Sequence, residues 1–150
     1  MARVVALRHR LTPELVCAVV EQESSWRPWA IRYEPKFFDR YILPQVQASA
    51  KQKGGLRDVT EARARAFSWG LMQVMGQTAR EHGFKGPLPR LCEPITGLDV
   101  GCRVFAAKLA AAKRSGGVHT VKKALLLWNG GARKEYADEV LERVDTYVTA

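Results

Sequence analysis

Apolar residues recur at three- and four-residue spacing along most of the chain, and the pattern is helical almost throughout. Thr12, Pro13 and Glu14 read as a helix start: a hydroxyl at the N-cap, proline at the first helical position, then an acid near the positive end. That helix is expected to run to about Ser25, because Pro28 discourages continuation. A bend follows around Pro28 and Pro35, then a segment carrying Phe37, Phe38, Tyr41 and Ile42 ahead of Pro44. Gly54-Gly55 breaks it, and Thr60-Glu61 begins a short helix rich in Ala and Arg. Gly70-Leu71-Met72-Gln73 is expected to open another compact apolar helix reaching Ala79, before a loop marked by Gly83, Gly86, Pro87 and Pro89. A long helix from about Ile95 to Arg114 is closed by Gly116-Gly117. Thr120 caps the next, through Trp128, and the last runs from about Arg133 to Val148. No run alternates as a strand would. The prediction is a compact all-α single domain over residues 1–150, without repeats, low-complexity tracts or linkers.

One position on the first helix stands out. Leu15, Val16 and Val19 share a stripe, and Glu23 continues it at i+8, i+7 and i+4. Glu21, two positions away, points to roughly the opposite side. The spacing therefore places a carboxyl on the apolar face, near the negative end of a helix dipole. Desolvation and the dipole both disfavour its anion, so its pKa is expected to rise. A general acid working near neutral pH has that property. The plain alternative is a boundary residue that snorkels or pairs with an arginine.

Composition narrows the classes. With 47% apolar residues the chain is globular rather than disordered. No stretch approaches the roughly 18 apolar residues that would span a bilayer. Arg3, Arg8 and Arg10 imitate the start of a secretory signal, but Pro13 and Glu14 interrupt any apolar stretch behind them, so no signal is read. Cys17, Cys92 and Cys102 have no metal-ligand spacing and His9, His82 and His119 are scattered; reduced thiols and no metal are expected. The net charge is +9, and from Arg103 to Lys134 eight basic residues occur with no acidic one. Such a face attracts polyanions, an anionic bacterial envelope or nucleic acid among them.

Two strings carry a resemblance. Gln22-Glu23-Ser24-Ser25-Trp26-Arg27-Pro28 and Gly70-Leu71-Met72-Gln73-Val74-Met75 resemble the signature of the soluble lytic transglycosylase (SLT) domain, a goose-type lysozyme-like fold that cuts peptidoglycan glycan strands. Leu91 through Leu109 looks like the family's long amphipathic helix, Trp128-Asn129-Gly130-Gly131 its Tyr-Asn-Ala-Gly turn, and Tyr136 with Val140 the opening of its closing helix. The resemblance implies a lysozyme-like α fold with a substrate groove and no cofactor. Glu23 would be the sole catalytic acid/base and Ser24 would support the turn behind it. Met72 and Gln73 would line the groove, Asn129 would sit near the scissile bond, and Ser25, Ser68, Trp128 and Tyr136 would also meet substrate. Peptidoglycan would be the partner of a monomer, with the basic face meeting the envelope and no nucleic acid. A wall-cutting enzyme made in the cytoplasm without a signal resembles a phage endolysin, reaching the periplasmic wall through holin-type holes.

The chain departs from the family in two places. Glu23 and Gly70 are 47 positions apart, more than the family usually allows, so residues 35–67 look like an insertion, with room for a minor irregular or β element. Trp128 stands where the family commonly has tyrosine, and an indole has one N–H but no hydroxyl. The resemblance implies cleavage between N-acetylmuramic acid and N-acetylglucosamine with 1,6-anhydro ends. A hydrolytic muramidase is the alternative, with Glu34 as second carboxylate and Asp39 behind it. A basic helical nucleic-acid- or wall-binding module without catalysis is the alternative of another class.

Overall fold

A computed structural model describes residues 1–50 and 59–148; the Gly54-Gly55 break lies outside them. Helix α1 (Ala2–Arg8) leads into α2 (Pro13–Ser24), which starts with proline at its first turn as the sequence predicts. Thr12 holds the N-cap position but makes no side-chain capping bond. The expected stripe on α2 is wider than a stripe: Leu15 through Val20 are all buried, because α1 and α9 (Tyr136–Val148) both pack on this helix. Glu23 lies in its last turn, at the margin of that core. Ser25 at φ 48° and Trp26 at φ 62° then stop the helix and turn the chain away.

The molecule is mainly helical, with a small antiparallel sheet in the order β1 (Ile31–Tyr33), β2 (Phe67–Trp69), β3 (Val74–Met75). The strands border the 35–67 segment, with β2 starting at its last residue. Arg32 pairs with Ser68, and Ser68 with Met75, which makes one row across a single face of the sheet. The aromatic chain Tyr33, Phe67 and Trp69, with ring centroids 5.0 and 5.5 Å apart, occupies the other face. Between β1 and β2, α3 (Pro35–Phe37) runs through a π turn (Phe38–Ile42) into α4 (Leu43–Ala50), and α5 (Val59–Arg65) returns to the sheet. Ile42, Ala62 and Ala66 form a small core of their own there, covered by Tyr33, Phe37, Phe38 and Val46.

The expected helix opening at Gly70 is corrected: residues 70–73 form the tight turn between β2 and β3, and α6 starts only at Gly76 (Gly76–Glu81). Gly70 has φ +67°, and a Cβ there would sit 2.2 Å from the carbonyl oxygen of Leu91. Only glycine fits that backbone contact. A 3-10 turn (Leu88–Cys92) leads into α7 (Pro94–Arg114), which packs on α1 and on α8 (Thr120–Trp128). Gly101 on α7 receives Met72, whose sulfur would lie 2.4 Å from an added Cβ. The last helix starts at Tyr136, three residues later than its predicted start. Cys17, Cys92 and Cys102 are buried and unpaired, and burial pushes the Cys102 thiol up to about 12. Among the described residues no helix is long and apolar enough to cross a membrane.

Candidate active site

Three helix ends meet at Glu23: the last turn of α2, the last residue of α8 and the first residue of α9. Trp128 donates its indole N–H to Glu23 Oε1 at 3.0 Å. Tyr136 donates its hydroxyl to the same oxygen at 2.6 Å. The Trp128 ring is held edge-on against buried Phe105, at a centroid distance of 5.6 Å, and Tyr136 is buried. The indole therefore supplies the bond to the catalytic region that a tyrosine at position 128 would make, and Tyr136 supplies a hydroxyl beside it. Both donors are uncharged.

Burial raises the Glu23 pKa above the usual carboxylate value. The bonds from Tyr136 and Trp128 pull it back in part, and the positive charge of Arg32 does so less. The C-terminal end of α2 adds to the upward push, because the dipole there is negative. The direction matches the sequence prediction. Burial, the charge of Glu23 and the hydrogen bond to it push the Tyr136 phenol up, so it stays a donor.

Glu23 opens onto a cleft of about 420 Å³. One wall is the sheet row of Arg32, Ser68 and Met75, with Gln73 and Thr78; the other is Val104 and Lys108 on α7 with Trp128 at the end of α8 and Asn129 and Gly130 after it. Gln73 sits at φ 47° and its amide donates to the carbonyls of Ala30 and Gly70, both at 2.9 Å. It lines the cleft and locks the β2–β3 turn to the chain leaving α2. Ser68 is buried in the same wall, donating to the Met75 sulfur at 3.2 Å. Asn129 donates to the carbonyl of Arg133 at 3.0 Å, which ties the α8–α9 loop.

The remaining predicted residues stand elsewhere. Ser24 is buried, with its hydroxyl donating to the Val20 carbonyl at 3.1 Å, and Arg27 closes on its carbonyl from both backbone and side chain. It supports the turn behind Glu23. Ser25 is exposed in that turn and does not line the cleft. The groove-lining expectation for Met72 is corrected: it is 1% exposed, packed against Gly101, and Met75 faces the cleft instead. Glu34 lines the same cleft as Glu23, but its carboxylate accepts from Arg32. Asp39 is exposed and absent from the cleft lining. Among the lining residues that escaped the sequence reading are Met75 and Lys108. Val104 and Lys108 at i, i+4 on an amphipathic helix were the signal for the second.

Glu23 is thus a half-buried carboxyl held by two neutral donors, in a cleft lined by residues of the small sheet and of the helices. The model of the transglycosylase SLT domain matches residues 1–135. The chain belongs to this family. No curated protein and no solved structure matches it. SLT domains are lysozyme-like, mainly helical, peptidoglycan-cleaving lytic transglycosylases, so the chain is a peptidoglycan-directed enzyme at the level of its family. The match ends one residue short of Tyr136.

Proposed function

We propose that this SLT domain cuts the β-1,4 bond between N-acetylmuramic acid and N-acetylglucosamine, with Glu23 as its single acid/base and 1,6-anhydromuramoyl ends as product. The observation that carries the reading is the convergence of Trp128 and Tyr136 on Oε1 of Glu23. An indole N–H can only donate, so Oε1 is an acceptor and the carboxyl proton belongs on Oε2. That proton goes to the glycosidic oxygen as an oxocarbenium-like centre develops at C1. The resulting carboxylate keeps both donors, which stabilise the charge just formed. It then takes the proton of the muramoyl C6 hydroxyl, whose oxygen closes on C1 and completes the anhydro ring. One carboxyl suffices, because the nucleophile belongs to the substrate.

Hydrolysis is the second reading, and the presence of Glu34 in the same cleft favours it. A hydrolase that inverts needs a second carboxylate about 6.5–9.5 Å away to activate water. The ion pair to Arg32 occupies one of the Glu34 oxygens. Digestion of purified peptidoglycan by wild type, Glu23→Gln and Glu34→Gln, with products weighed by mass spectrometry, separates the two. The expected ends are anhydromuramoyl, with the rate falling about 10³-fold in Glu23→Gln and changing less than about threefold in Glu34→Gln. Reducing muramic acid ends, heavier by one water and lost in Glu34→Gln, would overturn transglycosylation.

A further inference from the structure

The α7 wall of the cleft holds a cation that the reaction above does not use. Val104 and Lys108 lie one helical turn apart, so their side chains share a face, and both line the cleft with Glu23, Trp128 and Asn129. Lys108 is half-buried, and its ammonium donates to the carbonyl of Leu127 at 3.0 Å. An ammonium has three donors, so two remain. Among the described residues no carboxylate stands in ion-pair contact with it. Arg32, the cation of the opposite wall, is already paired with Glu34. Burial pulls the Lys108 pKa down, with only the charge of Glu81 acting against it. A half-buried ammonium with spare donors and, among the described residues, no ion-pair contact is suited to an incoming anion.

The hexosamine backbone of a glycan strand is neutral. Its anionic groups are carboxylates, carried on the lactyl substituent of muramic acid when that is free, or on the attached stem peptide. We infer that Lys108 receives such a carboxylate and makes the enzyme prefer strands that carry it. The inference rests on the peptidoglycan reading of the cleft and adds to it a residue that sets specificity.

Binding is measured with full-length Glu23→Gln, which removes turnover, against three muramoyl tetrasaccharides. One carries stems with free carboxylates, one the same stems amidated, and one a free lactyl carboxylate after the stems are removed. At least one carboxylate ligand is expected to bind about tenfold tighter than the amidated one, and the tighter of the two identifies the source. Adding Lys108→Met should bring that ratio within about twofold, while Lys108→Arg keeps it. Equal affinities for all three ligands overturn the inference, as does a ratio that survives Lys108→Met. A residue that merely caps α8 through Leu127 would weaken all three ligands alike, and that outcome also overturns it. Wild-type digestion of peptidoglycan reports separately on the reaction. Cleavage without carboxylate preference leaves the function standing and removes the role of Lys108; preference without cleavage does the reverse.

Discussion

Two glutamates two positions apart on α2 each accept a tyrosine hydroxyl from α9, and they differ in their second partner. Glu21 takes the hydroxyl of Tyr147 and the guanidinium of Arg143, both at 2.7 Å. Glu23 takes the hydroxyl of Tyr136 and the indole of Trp128. Arg143 also donates to Gln22, and Gln22 donates to Glu139, so the Glu21 side is a charged clamp between two helices. A guanidinium brings a positive charge against the carboxyl it meets. An indole orients the same kind of oxygen without adding charge, and leaves the carboxyl able to carry a proton. One helix end thus holds a charge-clamped side chain on one side and, in the proposed reaction, the acid on the other.

The comparison breaks most visibly when the neutral donors go. Tyr136→Phe combined with Trp128→Phe should lower turnover about 10²-fold, since two donors to the developing carboxylate are lost. The sign on pH follows from the same bonds. They pull the Glu23 pKa down against burial, so their removal raises it further. The alkaline limb of the rate, where the acid ionises, should then move to higher pH in a pH–rate profile.

The charged side answers in another currency. Arg143→Met should cost about 1 kcal/mol of stability in denaturant unfolding, a modest figure because the side chain is 40% exposed. Turnover should fall only as far as α9 loosens its grip on Tyr136, about threefold or less.

The smallest effect is on the stability of Glu23→Gln. A carboxyl whose pKa is raised by folding contributes stability that is complete below its unfolded pKa and lost as pH rises through the folded value. Glutamine cannot ionise, so the variant should gain on wild type across that window. Thermal melts should show higher Tm for Glu23→Gln at neutral pH and a shrinking difference toward acid.

The candidate acid was legible in the chain, because Glu23 on an apolar helix face and the strings around it lie close together in sequence. The long helices were legible for the same reason, their periodicity running over many residues. The sheet was not. Its strands have three residues or fewer, too short for alternation to show, and β1 meets β2 across the whole 35–67 segment. Met72 and Met75 are equally apolar in sequence; only the notch at Gly101 decides which is buried. Trp128 and Tyr136 were expected at the site, but their meeting on one oxygen bridges more than 100 positions. Lys108 read as one member of a basic run until the fold turned it into the cleft.

The central claim is that burial beside two neutral donors lets Glu23 keep its proton. Carbon-13 NMR titration of the glutamate carboxyls tests it directly, with the Glu23 resonance identified by its loss in Glu23→Gln. The account predicts a midpoint above the ordinary carboxylate range in wild type and a higher one in Tyr136→Phe. A midpoint at or below the ordinary range, or one unmoved by Tyr136→Phe, would contradict it.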